Sequence, residues 1–138
     1  MNAEAWYLLA YRSRTLVHQA SILMGALTSA QASDATELAA AATQAASGVE
    51  GLLQALAAAP ELAAHQRTIQ RFDIALAAWR HSVAEASPVA QRYQTALLQQ
   101  AAQVVTSCLH VEALCTSESA RVRVTRTDLS GRPSPPPP

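Results

Sequence analysis

Apolar residues recur at alternating steps of three and four along four long stretches of this chain. The stretches cover about residues 3–31, 33–59, 61–86 and 88–119. This spacing places the apolar side chains on one face of a helix, as in helices that pack together lengthwise. The connections near residues 32, 60 and 87 are very short, which makes consecutive helices antiparallel neighbours. The pattern therefore predicts an all-α fold, an antiparallel up-down-up-down four-helix bundle with coiled-coil-like packing.

Local signals agree with these boundaries. Asp34 and Glu37 form a capping-box-like start for the second helix, and Pro60 ends it because its ring clashes with the preceding turn. Ser87 followed by Pro88 is typical of the start of a helix. Gly48 lies in the middle of the second helix, where it indicates either a close crossing or a weak point.

The first helix carries a second apolar stripe on the face that is expected to be polar in a monomer. Its larger members are Leu8, Tyr11 and Ile22. Single apolar residues on a surface are ordinary, but an aligned set can mark a contact with another molecule. We expect Leu8, Tyr11 and Ile22 to belong to a surface that binds a protein partner or a second copy of the chain.

The composition argues against several classes of function. Thirty-one of the 138 residues are alanine, and ten arginines balance ten acidic residues with no lysine present. A neutral domain has no general attraction to nucleic acid or anionic lipid. No stretch of about 18 residues is free of polar groups, so no membrane span is expected. Without a basic segment at its start, the chain is expected to be cytoplasmic, with Cys108 and Cys115 as reduced thiols.

The character of the chain changes after residue 120, which divides it into a bundle domain (1–120) and a flexible, Arg- and Pro-rich tail (121–138). Residues 121–126 alternate arginine with valine or threonine and fit a short strand, a frayed helix end or disorder. The proline run that follows predicts a disordered, extended segment. Arg132, Pro135 and Pro138 match the Arg-x-x-Pro-x-x-Pro form that SH3 domains bind. The tail arginines also leave open weak binding to nucleic acid.

No motif in the sequence identifies a reaction centre. No glutamate has a histidine three residues later, as the di-iron bundles require, and the cysteines and glycines fit neither a zinc site nor a phosphate loop. We therefore assign no catalytic, metal or cofactor-binding residue and expect no cofactor. His65, Asp73 and Gln100 remain candidates for lining a small-ligand pocket, although a polar layer that sets helix register is the plainer interpretation.

These observations favour a non-enzymatic interaction protein that associates with itself or with a protein partner. The bias toward alanine and arginine resembles the codon usage of a GC-rich bacterial or phage genome. A narrower hypothesis is a chaperone or adaptor of an export or secretion machine, by analogy of size and class. The alternatives are a binder of a small ligand or cofactor in the bundle interior and a weak nucleic-acid binder acting through the arginines of the tail.

Overall fold

Four α-helices make up the fold, and the computed structural model describes residues 1–29 and 35–129, with side chains as far as Val122. The helices are α1 (Ala3–Thr28), α2 (Ala35–Leu56), α3 (Ala63–Ala84) and α4 (Ala90–Leu129), with a 3-10 turn at Pro60–Leu62 before α3. Helix α1 packs against α2 and α4, and α3 packs against the same two helices. The predicted four-helix bundle is confirmed.

Hydrogen bonds between helices show that neighbours run antiparallel. The Ser119 hydroxyl, near the end of the bundled part of α4, donates to the Ala3 carbonyl at 3.2 Å. At the opposite end, the Gln94 amide donates to the Leu27 carbonyl at 3.1 Å. The start of α1 therefore lies beside the later part of α4, and the end of α1 lies beside the start of α4.

In α1 and α2 the buried residues follow the three-and-four spacing of apolar residues in the sequence. Leu9, Leu16 and Leu23 are fully buried at intervals of seven residues. The opposing face of α2 supplies small residues in its first half and larger ones later. Its buried members are Ala41, Ala42, Ala45, Val49, Leu52 and Leu56. Because alanine buries little area, this packing requires α1 and α2 to approach closely.

Gly48 faces side chains of α1. A Cβ atom built at this position would collide with Oε1 of Gln19 and would lie 3.4 Å from Cδ1 of Leu16. Nearby, Nη1 of Arg12 donates to the Gly51 carbonyl at 2.6 Å. Of the two interpretations that the sequence allows for Gly48, the structure shows the close crossing.

Helix α3 contributes Ile69, Phe72, Leu76 and Trp79 to the core. The next position at this three-and-four spacing is Val83, but the last turn departs from the pattern. Val83 is exposed, whereas Ser82 is buried with its hydroxyl donating to the Trp79 carbonyl at 2.8 Å. The helix ends here because Ala86 adopts a left-handed conformation, with φ of 50°. The Ser87 amide bonds to the Ser82 carbonyl at 2.9 Å, and together these features form a Schellman-type end.

In α4 two lines of apolar residues have the three-and-four spacing, one through Tyr93 and Leu114 and one through Cys108 and Cys115, and the second line is the buried one. Tyr93 and Leu114 are exposed. The buried members are Leu97, Ala101, Val104, Cys108, Val111 and Cys115, at strict heptad spacing. The helix also starts at Ala90, where the Ser87 hydroxyl accepts a bond from the Val89 amide at 3.3 Å.

Helix α4 has 40 residues, whereas α1 has 26 and both α2 and α3 have 22. It continues through the predicted domain division after residue 120 as far as Leu129. Of the alternatives for residues 121–126, the structure shows helix. The expected disorder of the proline run concerns residues 130–138, which lie outside the described residues.

Replacing Phe72 by alanine should lower the free energy of unfolding by about 3–5 kcal/mol, because Phe72 is fully buried and its loss leaves a cavity. Ile74, on the same helix but 69% exposed, is the matched control, and Ile74→Ala should change it by no more than about 0.5 kcal/mol. Urea unfolding followed by circular dichroism measures both. Equal losses in the two variants would contradict this placement of the core.

Replacing Ala86 by glycine should raise the free energy of unfolding by about 1 kcal/mol, because glycine adopts the left-handed conformation without the clash of a Cβ atom. The control Ala77→Gly, at an exposed position in the interior of α3, should lower it by about 1 kcal/mol. Thermal unfolding of both variants tests the sign. A destabilised Ala86→Gly variant would show that α3 does not end in this motif.

Candidate functional site

One face of α1 points away from the bundle and carries large apolar side chains. The predicted contact residues Leu8, Tyr11 and Ile22 are 45%, 59% and 55% exposed. Tyr7, which is 62% exposed, joins them one helical turn before Tyr11. We call these four residues the outer face of α1. The sequence analysis missed Tyr7 because it followed a single line of residues, although the four-residue spacing to Tyr11 is a usable signal.

A groove between α1 and α4 opens beside the outer face. Its volume is about 310 Å³. The residues that line this tyrosine groove are Tyr7, Ala10, Tyr11, Arg14, Glu112, Thr116, Ser119 and Ala120. On the α4 side the lining side chains Thr116, Ser119 and Ala120 are small. One border of the groove is an ion pair in which Nε of Arg14 lies 2.9 Å from Oε1 of Glu112. The groove therefore combines aromatic rings, a small-residue lining and a polar border.

A second groove, of about 440 Å³, lies on the other side of α1, against α2. Ile22 of the outer face lines it together with Gln19, Ala26 and the first half of α2. Oε1 of Gln19 is buried here without a hydrogen-bond partner, beside Gly48. The outer face of α1 thus borders concave surfaces on both of its sides.

A polar cluster links α3 and α4. Nδ1 of His65 and the Ser107 hydroxyl lie 2.6 Å apart, and the His65 and His110 rings meet edge to face at 6.2 Å between centroids. Burial, with a smaller contribution from His110, lowers the pKa of His65 below its ordinary value of 6.5. A Ser–His pair can in principle form a nucleophile and its base. Here the serine is buried, so the pair is better suited to fixing the register of α3 against α4.

The three candidates for an interior ligand pocket are not alike in position. Asp73 is exposed on α3, whereas His65 and Gln100 are half-buried. Oε1 of Gln100 is buried without a hydrogen-bond partner, while His65 bonds to Ser107. The structure therefore supports a polar layer between α3 and α4 at His65 and Ser107, and it places Asp73 at the surface.

Both cysteines are buried free thiols in the core line of α4. Burial raises the pKa of the Cys108 thiol to about 12. Burial, together with Glu118 and Glu61, raises the pKa of the Cys115 thiol to about 11. Both side chains are therefore protonated near neutral pH and act as small apolar groups.

Metal sites and membrane-spanning helices are absent from the part of the chain that the structure describes. Within residues 1–29 and 35–122, whose side chains are described, no three His, Cys, Asp or Glu side chains gather closely enough to hold a metal ion. Among the same residues, no helix combines the length and the apolar content needed to cross a membrane. The predicted contact residues Arg132, Pro135 and Pro138 lie outside the described residues.

Comparisons with known proteins add no relative. The chain matches no protein-family model, no curated protein and no solved structure. The argument for function therefore depends on the surfaces described above.

Lowering the pH should weaken the fold through His65. Because the folded state lowers the pKa of His65, the unfolded chain binds a proton more readily, and the free energy of unfolding should fall as the pH drops below about 6.5. The His65→Asn variant should lose this part of the pH dependence. Urea unfolding of both proteins at a series of pH values between 5 and 8 measures the difference. Parallel curves for the two proteins would contradict the proposed role of His65.

Proposed function

We propose that this chain is a non-enzymatic interaction protein, a rigid helical bundle that binds a protein partner or a second copy of itself through the outer face of α1. The observation that supports this most is the alignment of Tyr7, Leu8, Tyr11 and Ile22 on the outward side of a helix whose other sides are packed. Aligned exposed apolar residues beside grooves are typical of protein contact surfaces.

The kind of side chain on this face supports the same proposal. Tyrosine is enriched at protein interfaces because its ring buries a large area at low entropic cost while its hydroxyl can still form a hydrogen bond. Tyr7, Leu8 and Tyr11 give an apolar centre within about one helical turn, and Ile22 lies about 17 Å further along the helix axis. Arg14 and Glu112 beside it provide a polar border of the kind that surrounds such centres.

A narrower version of the proposal is a bacterial or phage adaptor, or a cytoplasmic chaperone of an export or secretion machine. Short helical bundles with an exposed groove suit that role, and the grooves on both sides of α1 are its structural support. This version rests on analogy of size and class.

The alternative of a small-ligand site in the interior has one specific observation in its favour. Oε1 of Gln100 is buried without a hydrogen-bond partner, and a bound ligand could supply the missing donor. Native mass spectrometry of the purified protein tests this alternative, since a bound ligand would add its mass.

The alternative of nucleic-acid binding depends on the arginines of the tail. One of them, Arg121, already has a partner within the chain, because its guanidinium donates to Glu118 at 2.6 Å.

Replacing Leu8, Tyr11 and Ile22 together by serine should weaken association by at least about tenfold, or about 1.4 kcal/mol, because the apolar centre of the interface is removed. The bundle should stay folded, since all three side chains are exposed. Light scattering over a range of concentrations measures self-association, and affinity purification from the source organism compares the partners that each protein retains.

The matched control carries Ile74→Ser and Val83→Ser, two exposed apolar positions on α3. The control should behave as the unmodified protein in both measurements. If the unmodified chain remains monomeric at every concentration, and all variants retain the same partners, the proposal is wrong.

A further inference from the structure

The tyrosine groove has the chemistry of a site for a polyproline segment. The rings of Tyr7 and Tyr11 stand one helical turn apart, and the lining between them and α4 is small, through Ala10, Ser119 and Ala120. Proline-rich segments dock in aromatic-lined grooves, where pyrrolidine rings pack on the aromatic faces. Tyrosine hydroxyls can also donate to the carbonyl groups that a polyproline helix leaves without internal hydrogen bonds.

The chain itself carries such a segment. Proline occupies position 133 and positions 135–138. A proline run is restricted to the extended polyproline conformation before it binds, so docking it costs less conformational entropy than docking an ordinary loop. The chain therefore contains a proline-rich segment, which is the class of ligand that suits the tyrosine groove.

The connection is long enough for the segment to return to the groove of its own chain. Helix α4 passes the groove at Thr116, Ser119 and Ala120 and ends at Leu129, about 14 Å further along at 1.5 Å per residue. Residues 132–138 span about 22 Å as a polyproline helix at 3.1 Å per residue. Ser130 and Gly131, residue types that favour turns, stand between the helix and this segment. After reversing direction, the prolines can lie beside Ala120 and Thr116.

We propose that the proline segment 135–138 occupies the tyrosine groove of its own chain and covers Tyr7 and Tyr11. This inference rests on the proposed function, because the two tyrosines also belong to the outer face of α1. The tail is then an intramolecular competitor of the partner for these two rings. An attached segment of this kind is present at an effective concentration on the order of millimolar, so a partner must bind more tightly than the tail to displace it.

Nuclear magnetic resonance of the full chain with labelled tyrosine rings tests this contact directly. The chain has three tyrosines, of which Tyr7 and Tyr11 line the groove and Tyr93 lies elsewhere on α4. Nuclear Overhauser effects from the ring protons of prolines 135–138 should reach Tyr7 and Tyr11 but not Tyr93. They should keep their relative intensity on dilution, since the contact is within one chain.

Three variants and a free peptide complete the test. Replacing the prolines at 135–138 by serine should abolish the contacts and shift the signals of Tyr7 and Tyr11 while Tyr93 stays unchanged. A free peptide with the sequence of residues 132–138 should then bind this serine variant at the two groove tyrosines, at least about tenfold more tightly than it binds the unmodified chain. Replacing Tyr11 by alanine should weaken the contacts, whereas Tyr93→Ala should not.

The result that overturns the inference is a set of Tyr7 and Tyr11 signals that do not respond to the serine replacements. Contacts that disappear on dilution would also overturn it, because they would come from another copy. These outcomes leave the proposed function standing if the Leu8, Tyr11 and Ile22 variant still loses its association. If the chain shows no association but the tail contacts are present, the proposed function fails and the inference about the tail stands.

Discussion

The exclusion of water along the inner stripe of α1 is the interaction on which the rest of the structure depends. Leu9, Leu16 and Leu23 are fully buried at heptad spacing, and α1 is in contact with both α2 and α4. The small residues of α2, Ala41, Ala42, Ala45 and Gly48, let that helix come close enough for the leucines to be covered. Without this close approach, an alanine-rich helix would bury too little apolar area to remain packed.

The same arrangement determines what is left for function. A helix that packs on two neighbours and on the core has one free side, and in α1 that side carries tyrosines, leucine and isoleucine. The functional groups that are buried elsewhere have structural roles. Cys108 and Cys115 are apolar members of the core, and Ser107 is bonded to His65 between α3 and α4. The surface of α1 therefore supports the proposed interaction function better than the interior supports a chemical one.

The sequence predicts the helices and most of the core because periodicity and burial are tied together by helix geometry. It does less well where two lines of apolar residues compete. In α4, Leu114 and Cys115 are neighbours in sequence, and only the position of α3 and α1 decides that Cys115 is buried and Leu114 exposed. Val83 continues the apolar spacing of α3, yet it is exposed and its neighbour Ser82 is buried. No local pattern indicates that α4 continues to Leu129.

The candidate site is predictable only in part, for a similar reason. Leu8, Tyr11 and Ile22 could be recognised as apolar residues on the wrong side of a helix. The grooves beside them are formed by residues far apart in the chain, such as Tyr11 and Thr116, and no spacing in the sequence brings these together.

Trp6, near the start of α1, and Trp79, near the end of α3, are both buried, and the two indoles lie near opposite ends of the bundle. This pair provides the most direct test of the single core. In the Trp6→Phe and Trp79→Phe variants, urea unfolding followed by the remaining tryptophan should share one midpoint with the loss of helical circular dichroism in the same variant. Clearly separated midpoints would show that the two ends unfold independently, and would contradict a bundle held together by one continuous core.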